Sequence, residues 1–304
     1  MKILVTGSNG FIGRELVSEL KKRRHAVVEF DLIGGQNLLE KKHLHAAFVQ
    51  DIDAVIHLAA IIDEKETTEL MNEVNVEGTE KLLEKSVEFK VKRFIFLSTV
   101  GVMGNIIKKA DELTPLNPKT KYEKSKAEAE QKVNEFQELI PVTIIRSALV
   151  LGPNQYWKQI INLVKKNFPL IGNGKNTFQI IYYKDLVNAI IFCLNTNETE
   201  NETLIIAEEK GMKLIDIYFS IQKALGIDKK IRLLPVFLGK IYAFIRRDSV
   251  FLPEYIDRLI RERNYSIEKI KRLGWKPKYL TQQAIKNTIE EIEKKEKIET
   301  QEKN

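Results

Sequence analysis

The chain has 304 residues, of which 43% are hydrophobic and 30% are charged, and its formal net charge is +7. This length fits one large domain or a domain with a smaller lobe, and the hydrophobic content is sufficient for a core. The basic residues are interleaved with acidic ones, so no nucleic-acid partner is predicted, and an anionic small molecule explains the charge equally well. Cys193 is the only cysteine, which excludes a disulfide framework and predicts a cytoplasmic protein with a packed core thiol.

The first half of the chain alternates short apolar runs with helical patterns. Apolar runs rich in β-branched residues predict strands at 2–7, 26–31, 53–60, 92–98 and 141–147. The helices predicted between them include a long one over 67–89 and one that carries Tyr122. Continuous apolar strands separated by helices are typical of a parallel sheet covered on both faces and joined by right-handed crossovers. The predicted fold class is therefore α/β, with a doubly wound parallel sheet.

After about residue 150 the pattern becomes less regular. Turn-rich segments come first, strand-like segments return near 178–182 and 203–206, and the chain is mostly helical after 211. The longest apolar run, LLPVFLGKIYAFI over 233–245, is interrupted by proline, glycine and lysine and is too short to span a bilayer. No integral membrane segment is therefore predicted. Ordinary core packing is the favoured interpretation of this run, with the lining of an apolar pocket or contact with a membrane surface as alternatives.

The segment TGSNGFIG places Gly7, Gly10 and Gly13 between the first strand and the first helix. Glycines at such a turn allow a pyrophosphate to approach the backbone, and the helix N-terminus offers it N–H groups. A plain tight turn would explain a lone glycine pattern, but the flanking strand and helix favour a dinucleotide site. We predict a Rossmann domain over 1–150 with a returning strand near 203–206, and a smaller, mostly helical substrate-binding lobe over 151–304.

Asp31 ends the second predicted strand. A carboxylate at this position accepts hydrogen bonds from the adenosine ribose hydroxyls and repels a 2′-phosphate. The residue therefore favours NAD over NADP. The alternative is a strand-ending aspartate that only serves a turn.

Six segments follow one another in a fixed order: TGSNGFIG, DAVIHLAA, NVEGT, FIFLSTVGVMG, YEKSK and RSALVLGPN. Together they resemble the extended short-chain dehydrogenase/reductase family, in its NAD-dependent epimerase/dehydratase branch, over nearly the whole chain. This resemblance implies NAD as the cofactor, a small-molecule substrate, and a homodimer that pairs through helices near 67–89 and 120–138.

The resemblance also implies roles for individual residues. Gly7, Gly10 and Gly13 cradle the pyrophosphate, and Asn9, Phe11 and Ile12 meet it through the backbone. Asn37 and Leu38 occupy the positions that meet the adenine, although Asn37 departs from the aspartate of the family. The implied catalytic residues are Thr99, Tyr122 and Lys126, and the remaining cofactor contacts fall on Leu58, Ala59, Ala60, Asn75, Ser98 and again on Tyr122 and Lys126.

Tyr122 and Lys126 are four residues apart on a predicted helix and share one face. A free tyrosine has a pKa of about 10, and a nearby ammonium group lowers it. The hypothesis is that Tyr122 takes the proton of a substrate hydroxyl while hydride leaves the same carbon for the nicotinamide, with Thr99 holding the substrate oxygen. The alternative is an exposed tyrosine on a lysine-rich helix, and the residues between the pair, Glu123, Lys124 and Ser125, are interpreted as solvated.

Three departures from the family concern the substrate. Met103, Leu149 and Phe178 stand where relatives commonly carry a tyrosine, an asparagine and an arginine, so a more apolar pocket is expected. The favoured function is 4-epimerase-type chemistry on a nucleotide-sugar. The alternatives are a dihydroflavonol- or 3β-hydroxysteroid-dehydrogenase-like reductase of an apolar ketone, and a non-catalytic dinucleotide-binding protein. No metal site is predicted, because the histidines form no ligand pattern with the cysteine.

Overall fold

The structure is a computed structural model that describes residues 1–246 and 253–301. Within these residues the strands are β1 (Lys2–Thr6), β2 (Ala26–Phe30), β3 (Ala54–His57), β4 (Arg93–Thr99), β5 (Val142–Ser147), β6 (Leu149–Leu151), β7 (Leu170–Ile171), β8 (Thr177–Phe178), β9 (Ile180–Tyr182), β10 (Glu202–Ile206), β11 (Met212–Lys213) and β12 (Leu233–Leu234). The α-helices are α1 (Phe11–Lys22), α2 (Lys41–Phe48), α3 (Thr68–Asn72), α4 (Gly78–Glu88), α5 (Lys121–Glu135), α6 (Gln155–Lys165), α7 (Tyr183–Asn195), α8 (Leu214–Ala224), α9 (Val236–Arg246), α10 (Pro253–Ile260), α11 (Glu268–Arg272) and α12 (Thr281–Gln301). A π-helical turn over Glu73–Glu77 joins α3 to α4.

Six strands form one parallel sheet in the order β2-β1-β3-β4-β5-β10. The chain leaves β1 toward one edge to form β2 and then returns to the other side of β1 to form β3. This reversal creates the crevice in which open α/β sheets bind their ligands, at the carboxyl ends of the strands. The predicted doubly wound parallel sheet is confirmed.

Helices cover both faces of the sheet because successive strand residues point to opposite sides. Ile3 and Val5 of β1 face a core formed with α1, α7 and α11, whereas Leu4 faces a core formed with α2, α4 and α5. Cys193 lies in α7 as a free, fully buried thiol, which confirms the expected core packing. Both layers hold the carboxyl edge of the sheet in place, where the residues of the predicted site are found.

Elements after residue 150 are shared between two cores. β10 joins the sheet beside β5, and α7 and α11 pack on one sheet face. A separate lobe has its own core, formed mainly by α6, α8, α12 and the short strands β8 and β9. The division of the chain into two domains at residue 150 stays a prediction. None of the helices in the described residues combines the length and apolar character that a bilayer span needs.

The apolar run 233–245 does not pack in the core as expected. It forms β12, which pairs with β7, and the helix α9. Gly239 and the buried Ala243 lie on the face of α9 that contacts the lobe, and the Cβ of a larger residue at 239 would meet Ile171 at 2.8 Å. Val236 and Tyr242 are partly buried against the lobe, but most of the large side chains of α9 point away from it.

Candidate active site

The glycine loop has the close approaches that only glycine allows. Gly7 has a φ of +70°, and a Cβ at this position would lie 2.8 Å from the backbone nitrogen of Ala59. A Cβ on Gly13 would lie 2.0 Å from the carbonyl oxygen of Gly7. At Gly10, the N-cap of α1, a Cβ would lie 3.0 Å from the same oxygen. Larger residues at these three positions would collide with backbone atoms. The loop is therefore built on glycines, and no side chains at these positions cover its backbone.

The N-terminus of α1 is free to receive a phosphate. No side chain in the described part of the chain caps it, and its first turn, which begins with Phe11 and Ile12, carries no acidic residue. The hydroxyl of Ser8 is buried and has no hydrogen-bond partner within the described residues. An unpaired buried hydroxyl beside open helix N–H groups suits a pyrophosphate. These features fit a bound dinucleotide.

Asp31 lies at the end of β2, on the loop side of the crevice. One carboxylate oxygen accepts a hydrogen bond from the backbone N–H of Asn9 at 2.9 Å, and the other accepts one from Ile33 at 2.9 Å. Each carboxylate oxygen has two acceptor sites, so both retain one for a ribose hydroxyl. The backbone bonds hold the carboxylate in this orientation.

The residues predicted to meet the adenine and the cofactor edge lie in two loops. The Asn37 carboxamide oxygen accepts a hydrogen bond from the backbone of Leu39, and Leu38 is buried. Leu58, Ala59 and Ala60 follow β3 and are half-buried. The backbone N–H of Ala59 donates to the hydroxyl of Thr6 at 3.3 Å. These loops follow β2 and β3, the strands on either side of β1.

Asn75 lies in the π-helical turn and is almost completely buried. Its side chain accepts from the backbone N–H of Ile61 at 2.7 Å and donates to the carbonyl of Ile61 at 2.9 Å and to Ser125 Oγ at 2.9 Å. All of these partners are protein atoms. Asn75 therefore ties the loop after β3 to the helix α5, and it positions the site rather than projecting into it.

Ser98 and Thr99 end β4 and point to different neighbours. The buried Ser98 hydroxyl donates to Glu130 at 2.5 Å. Thr99 Oγ1 accepts from the backbone N–H of Gly101 at 3.0 Å. A Cβ on Gly101 would lie 3.3 Å from both Thr99 Oγ1 and Glu123 Oε1. The absence of a side chain at 101 keeps a space open between Thr99 and the start of α5.

Tyr122 is the second residue of α5, and Lys126 lies one turn further along. The Lys126 ammonium is buried, 3.8 Å from the centroid of the Phe96 ring. Burial lowers the pKa of Lys126 to about 7. Burial also raises the pKa of Tyr122 to about 12, opposed by Arg258 and assisted by Glu64 and Glu123. The pKa of Tyr122 is therefore raised and not lowered as expected, since desolvation penalises the phenolate, and the cation that opposes this rise is Arg258.

Two of the three residues between Tyr122 and Lys126 are not solvated as expected. Lys124 is exposed, but Glu123 and Ser125 are buried. Glu123 and Thr120 form a capping box that fixes the first turn of α5. The hydroxyl of Ser125 donates to the carbonyl oxygen of Tyr122 at 3.0 Å. The sequence TKYE carries the S/T-x-x-E capping pattern, which would have identified the role of Glu123.

Three arginines that sequence reasoning missed converge on this site from α10 and the residues after it. Arg261 donates to Glu123 Oε1 at 3.0 Å, and Arg258 lies 3.5 Å from the same oxygen and 3.7 Å from Glu64. The guanidinium of Arg263 covers the ring of Phe178 at 4.6 Å. Its Nε is buried without a hydrogen-bond partner among the described residues.

Arg263 therefore brings a guanidinium group to Phe178, one of the three positions at which the sequence predicts a more apolar pocket. An apolar cavity of about 110 Å³ does lie beside it, between α6, α8 and α10. Tyr156, Trp157, Phe178 and Leu259 are among its lining residues. The substrate side of the site thus combines cations with an apolar recess.

The parallel sheet, the glycine loop at its switch point and the Tyr–Lys pair on α5 define an oxidoreductase of the extended short-chain dehydrogenase/reductase type. The model of the NAD dependent epimerase/dehydratase family matches residues 3–207. The chain belongs to this family, and it is an NAD-dependent enzyme of the epimerase/dehydratase type. Among residues 1–246 and 253–301, no three His, Cys, Asp or Glu side chains come together in a way that could hold a metal ion.

Relatives and solved structures match over almost the full length. The chain is 28% identical to a UDP-glucose 4-epimerase from Vibrio cholerae, covering 95% of this chain and 94% of that protein. It is 25% identical to an N-acetyl-α-D-glucosaminyl-diphospho-ditrans,octacis-undecaprenol 4-epimerase from Escherichia coli O157:H7, covering 95% and 94%. The UDP-glucose 4-epimerase of Thermotoga maritima, solved with UDP-glucose, shares the fold with a TM-score of 0.81 at 24% identity, covering 97% of this chain and 99% of that one.

Proposed function

We propose that the chain inverts a secondary hydroxyl of a nucleotide-sugar, as a 4-epimerase does, through a keto intermediate. The observation that supports the proposal most is the position of Tyr122 on α5, where Arg258 lowers its pKa and the neighbouring Glu123 pairs with Arg258 and Arg261. When bound, NAD accepts a hydride from the sugar carbon and returns it. The residues of this chain supply the proton transfers, the orientation of the substrate and the exclusion of water.

The dinucleotide is held by the glycine loop and by Asp31. Gly7, Gly10 and Gly13 admit the pyrophosphate, and Asp31 receives the adenosine ribose. Asn9, Phe11 and Ile12 meet the phosphates through the backbone, while Asn37, Leu38 and the residues after β3 border the adenine and the rest of the cofactor. Asn75 supports this arrangement through Ile61 and Ser125.

Tyr122 carries the proton. Its phenolic oxygen takes the proton of the sugar hydroxyl in the first half of the reaction and returns a proton to the ketone oxygen in the second. Thr99 Oγ1 holds the same substrate oxygen by a hydrogen bond. General acid–base catalysis of this kind contributes roughly 10²–10⁴-fold to the rate. Ser98 holds Glu130, which stabilises the Lys126 ammonium near the ribose of the cofactor.

The arginines select an anionic substrate. A diphosphate accepts charge-assisted hydrogen bonds from guanidinium groups, and these are among the stronger polar contacts in proteins. Arg263 has a buried Nε without a hydrogen-bond partner in the described part of the chain, which suits an arriving phosphate oxygen. A neutral flavonoid or steroid ketone would leave this group unpaired. The arginine cluster therefore favours the nucleotide-sugar over the apolar ketone alternative.

The apolar cavity favours a second candidate substrate, a sugar carried on a lipid diphosphate. The cavity lies beside Phe178, which Arg263 covers, so a diphosphate and a hydrocarbon chain could be bound side by side. The relative from E. coli O157:H7 is named for a substrate of this kind. Both candidates share the same chemistry at the sugar carbon.

We also infer a homodimer and a cytoplasmic location. The helices α4 and α5 lie side by side on one sheet face and present exposed outer residues, including Lys124 and Glu128. Pairing through them would form a dimer. The single, buried, unoxidised cysteine suits a reducing compartment. Light scattering that gives the mass of one chain would contradict the dimer.

The test of the proposed function is a product analysis. The purified chain is incubated with NAD and with UDP-glucose, UDP-galactose, UDP-glucuronic acid or dTDP-glucose, and the C4 epimers are separated by chromatography. We expect interconversion with at least one sugar and a loss of at least 100-fold in Tyr122→Phe, with NAD affinity retained. The matched control Tyr279→Phe should keep its activity. Turnover that survives in Tyr122→Phe, or NAD binding without turnover of any substrate, would contradict the proposal.

A further inference from the structure

The helix α9 turns five large apolar side chains away from the protein, while Val236 and Tyr242 pack on it. Phe237 is 63% exposed, Ile241 52% and Ile245 74%, and Leu238 and Phe244 lie on the same side. Phe237, Ile241 and Ile245 follow the i, i+4, i+8 spacing of one helix face. The opposite face, with Gly239 and Ala243, packs on the lobe. An ordinary surface helix has the reverse arrangement, with its large apolar residues inside.

Basic residues flank this exposed face, which we name the α9 face. The loop that leads into β12 and α9 carries Lys229, Lys230 and Arg232, all exposed, with Asp228 as its one acidic residue. Lys240 lies on α9 itself and forms an ion pair with Asp257 of α10 at 2.7 Å. The helix contains no acidic residue. The loop and the helix together therefore carry a net positive charge.

We propose that the α9 face docks on a bilayer surface that contains anionic lipid. A helix that lies in the membrane interface places Phe, Leu and Ile among the acyl chains and basic residues near the headgroups, and α9 with its flanking loop has this composition. Lysines and arginines close to an anionic leaflet each strengthen attachment. The helix is too short to cross the bilayer, so the contact is peripheral.

A second copy of the chain fits the α9 face less well than a bilayer does. In a two-fold symmetric pair the same surface patch meets itself. Both partners would then bring the same basic residues, Lys229, Lys230 and Arg232, to the contact without an acidic patch to match them, and like charges at a contact oppose association. An anionic lipid surface instead satisfies both the apolar residues and the basic ones.

Docking by the α9 face would bring the apolar cavity close to the bilayer. The inner face of α9 packs against Ile171 and belongs to one cluster with Ile256 and Leu259. These three residues also line the cavity. The proposal does not depend on the reaction, because membrane attachment is measured without turnover.

The experiment is co-sedimentation of the full chain with vesicles. Vesicles of phosphatidylcholine and phosphatidylglycerol in a three-to-one ratio are compared with vesicles of phosphatidylcholine alone. We expect binding to the anionic vesicles that weakens in high salt, and little binding to the neutral ones. Phe237→Ser together with Ile241→Ser should weaken the partition coefficient at least tenfold, because both side chains lose their burial among the acyl chains. Lys229→Gln and Lys230→Gln should each weaken it roughly fivefold.

The matched control is Leu139→Ser, which removes a leucine of 64% exposure just before β5, at the opposite edge of the sheet from the site. It should leave vesicle binding unchanged. NAD binding and epimerase turnover on a soluble nucleotide-sugar should be unchanged in all these variants, which separates this test from that of the proposed function. Absence of binding to anionic vesicles at low salt would overturn the proposal. A dimer that Phe237→Ser with Ile241→Ser converts to a monomer would also overturn it, since the α9 face would then join two copies.

Discussion

Arg261 donates a hydrogen bond to Glu123 Oε1 at 3.0 Å, between residues 138 positions apart in the chain. The other oxygen of Glu123 accepts the backbone N–H groups of Lys119 and Thr120 at 2.8 and 3.1 Å. A single carboxylate thus fixes the start of the helix that carries Tyr122 and binds an arginine that follows α10. The proposed acid–base residue Tyr122 and the arginines proposed to bind the diphosphate are therefore linked through Glu123.

The first prediction concerns Glu123→Gln. The groups that face Tyr122 and influence its pKa are Arg258, which lowers it, and Glu64 and Glu123, which raise it. Removing the charge of Glu123 removes one raising influence and leaves the nearby arginines less neutralised, so both effects lower the pKa of Tyr122. In the direction of alcohol oxidation, where Tyr122 acts as a base, the rise of kcat/KM with pH should move to lower pH by roughly one unit.

The partner variant has the opposite sign. Arg261→Gln leaves the charge of Glu123 less neutralised, which should raise the pKa of Tyr122. The rise of kcat/KM with pH should therefore move to higher pH. Glu128→Gln, an exposed position on α5, is the control and should not move it. If Glu123→Gln and Arg261→Gln both moved the rise of kcat/KM in the same direction, the shift would come from a changed structure of α5 and not from the charge of Glu123.

The second prediction is that Lys126→Met stabilises the fold while it impairs the enzyme. The folded-state pKa of Lys126 is about 7, below the ordinary 10.5, because the ammonium is buried. The unfolded chain therefore binds more protons between these two values, and the free energy of unfolding rises with pH across this window. At about pH 7 the methionine variant should be more stable by a few kcal/mol, because it avoids the cost of burying a charge.

Urea unfolding at about pH 7 and about pH 10 measures this difference. The gain should shrink at the higher pH, where the wild-type lysine is mostly neutral in the fold. Lys42→Met, at an exposed position on α2, should change the free energy of unfolding little at either pH. An equal gain at both pH values would mean that packing, and not charge burial, explains it.

The third prediction concerns the choice of cofactor. Asp31→Asn keeps the size of the side chain and an oxygen for the backbone, but removes the charge that repels a 2′-phosphate. NAD affinity should fall roughly tenfold, because hydrogen bonds to a charged group are worth about 1.5–3 kcal/mol. NADP affinity should rise, and calorimetry with both cofactors measures the ratio. The control is Asp51→Asn in an exposed turn; an unchanged NAD to NADP ratio in Asp31→Asn would remove the role assigned to Asp31.

The fourth prediction concerns Arg263→Gln. If the guanidinium binds the diphosphate, KM for the nucleotide-sugar should rise roughly 10- to 100-fold, while kcat changes little, because the contact is the same in the ground and transition states. NAD affinity should stay constant. The exposed Arg272→Gln is the control. A fall in kcat with constant KM would place Arg263 at the reacting carbon instead.

Much of the predicted cofactor site could be read from the sequence, because the patterns that indicate it are short and local. The strand–glycine loop–helix unit depends on a β-branched run and on glycines at positions where a Cβ would collide with backbone atoms. The capping pattern at Thr120 and Glu123 is also local, because it depends on two residues three positions apart. The substrate side was not predictable in the same way, because Arg263 reaches Phe178 from 85 positions later and no sequence spacing encodes that contact.

The order of motifs determined the family, the fold class and the identity of Tyr122, Lys126 and Thr99 as candidates, since each motif is a short segment with its own chemistry. Only the tertiary structure decided the environment of these residues. It buried Glu123, brought Arg258 and Arg261 to it, and raised the pKa of Tyr122 through burial. It also decided which face of α9 meets solvent. Periodicity shows that a helix has distinct faces, but packing against the rest of the chain determines which of them is covered.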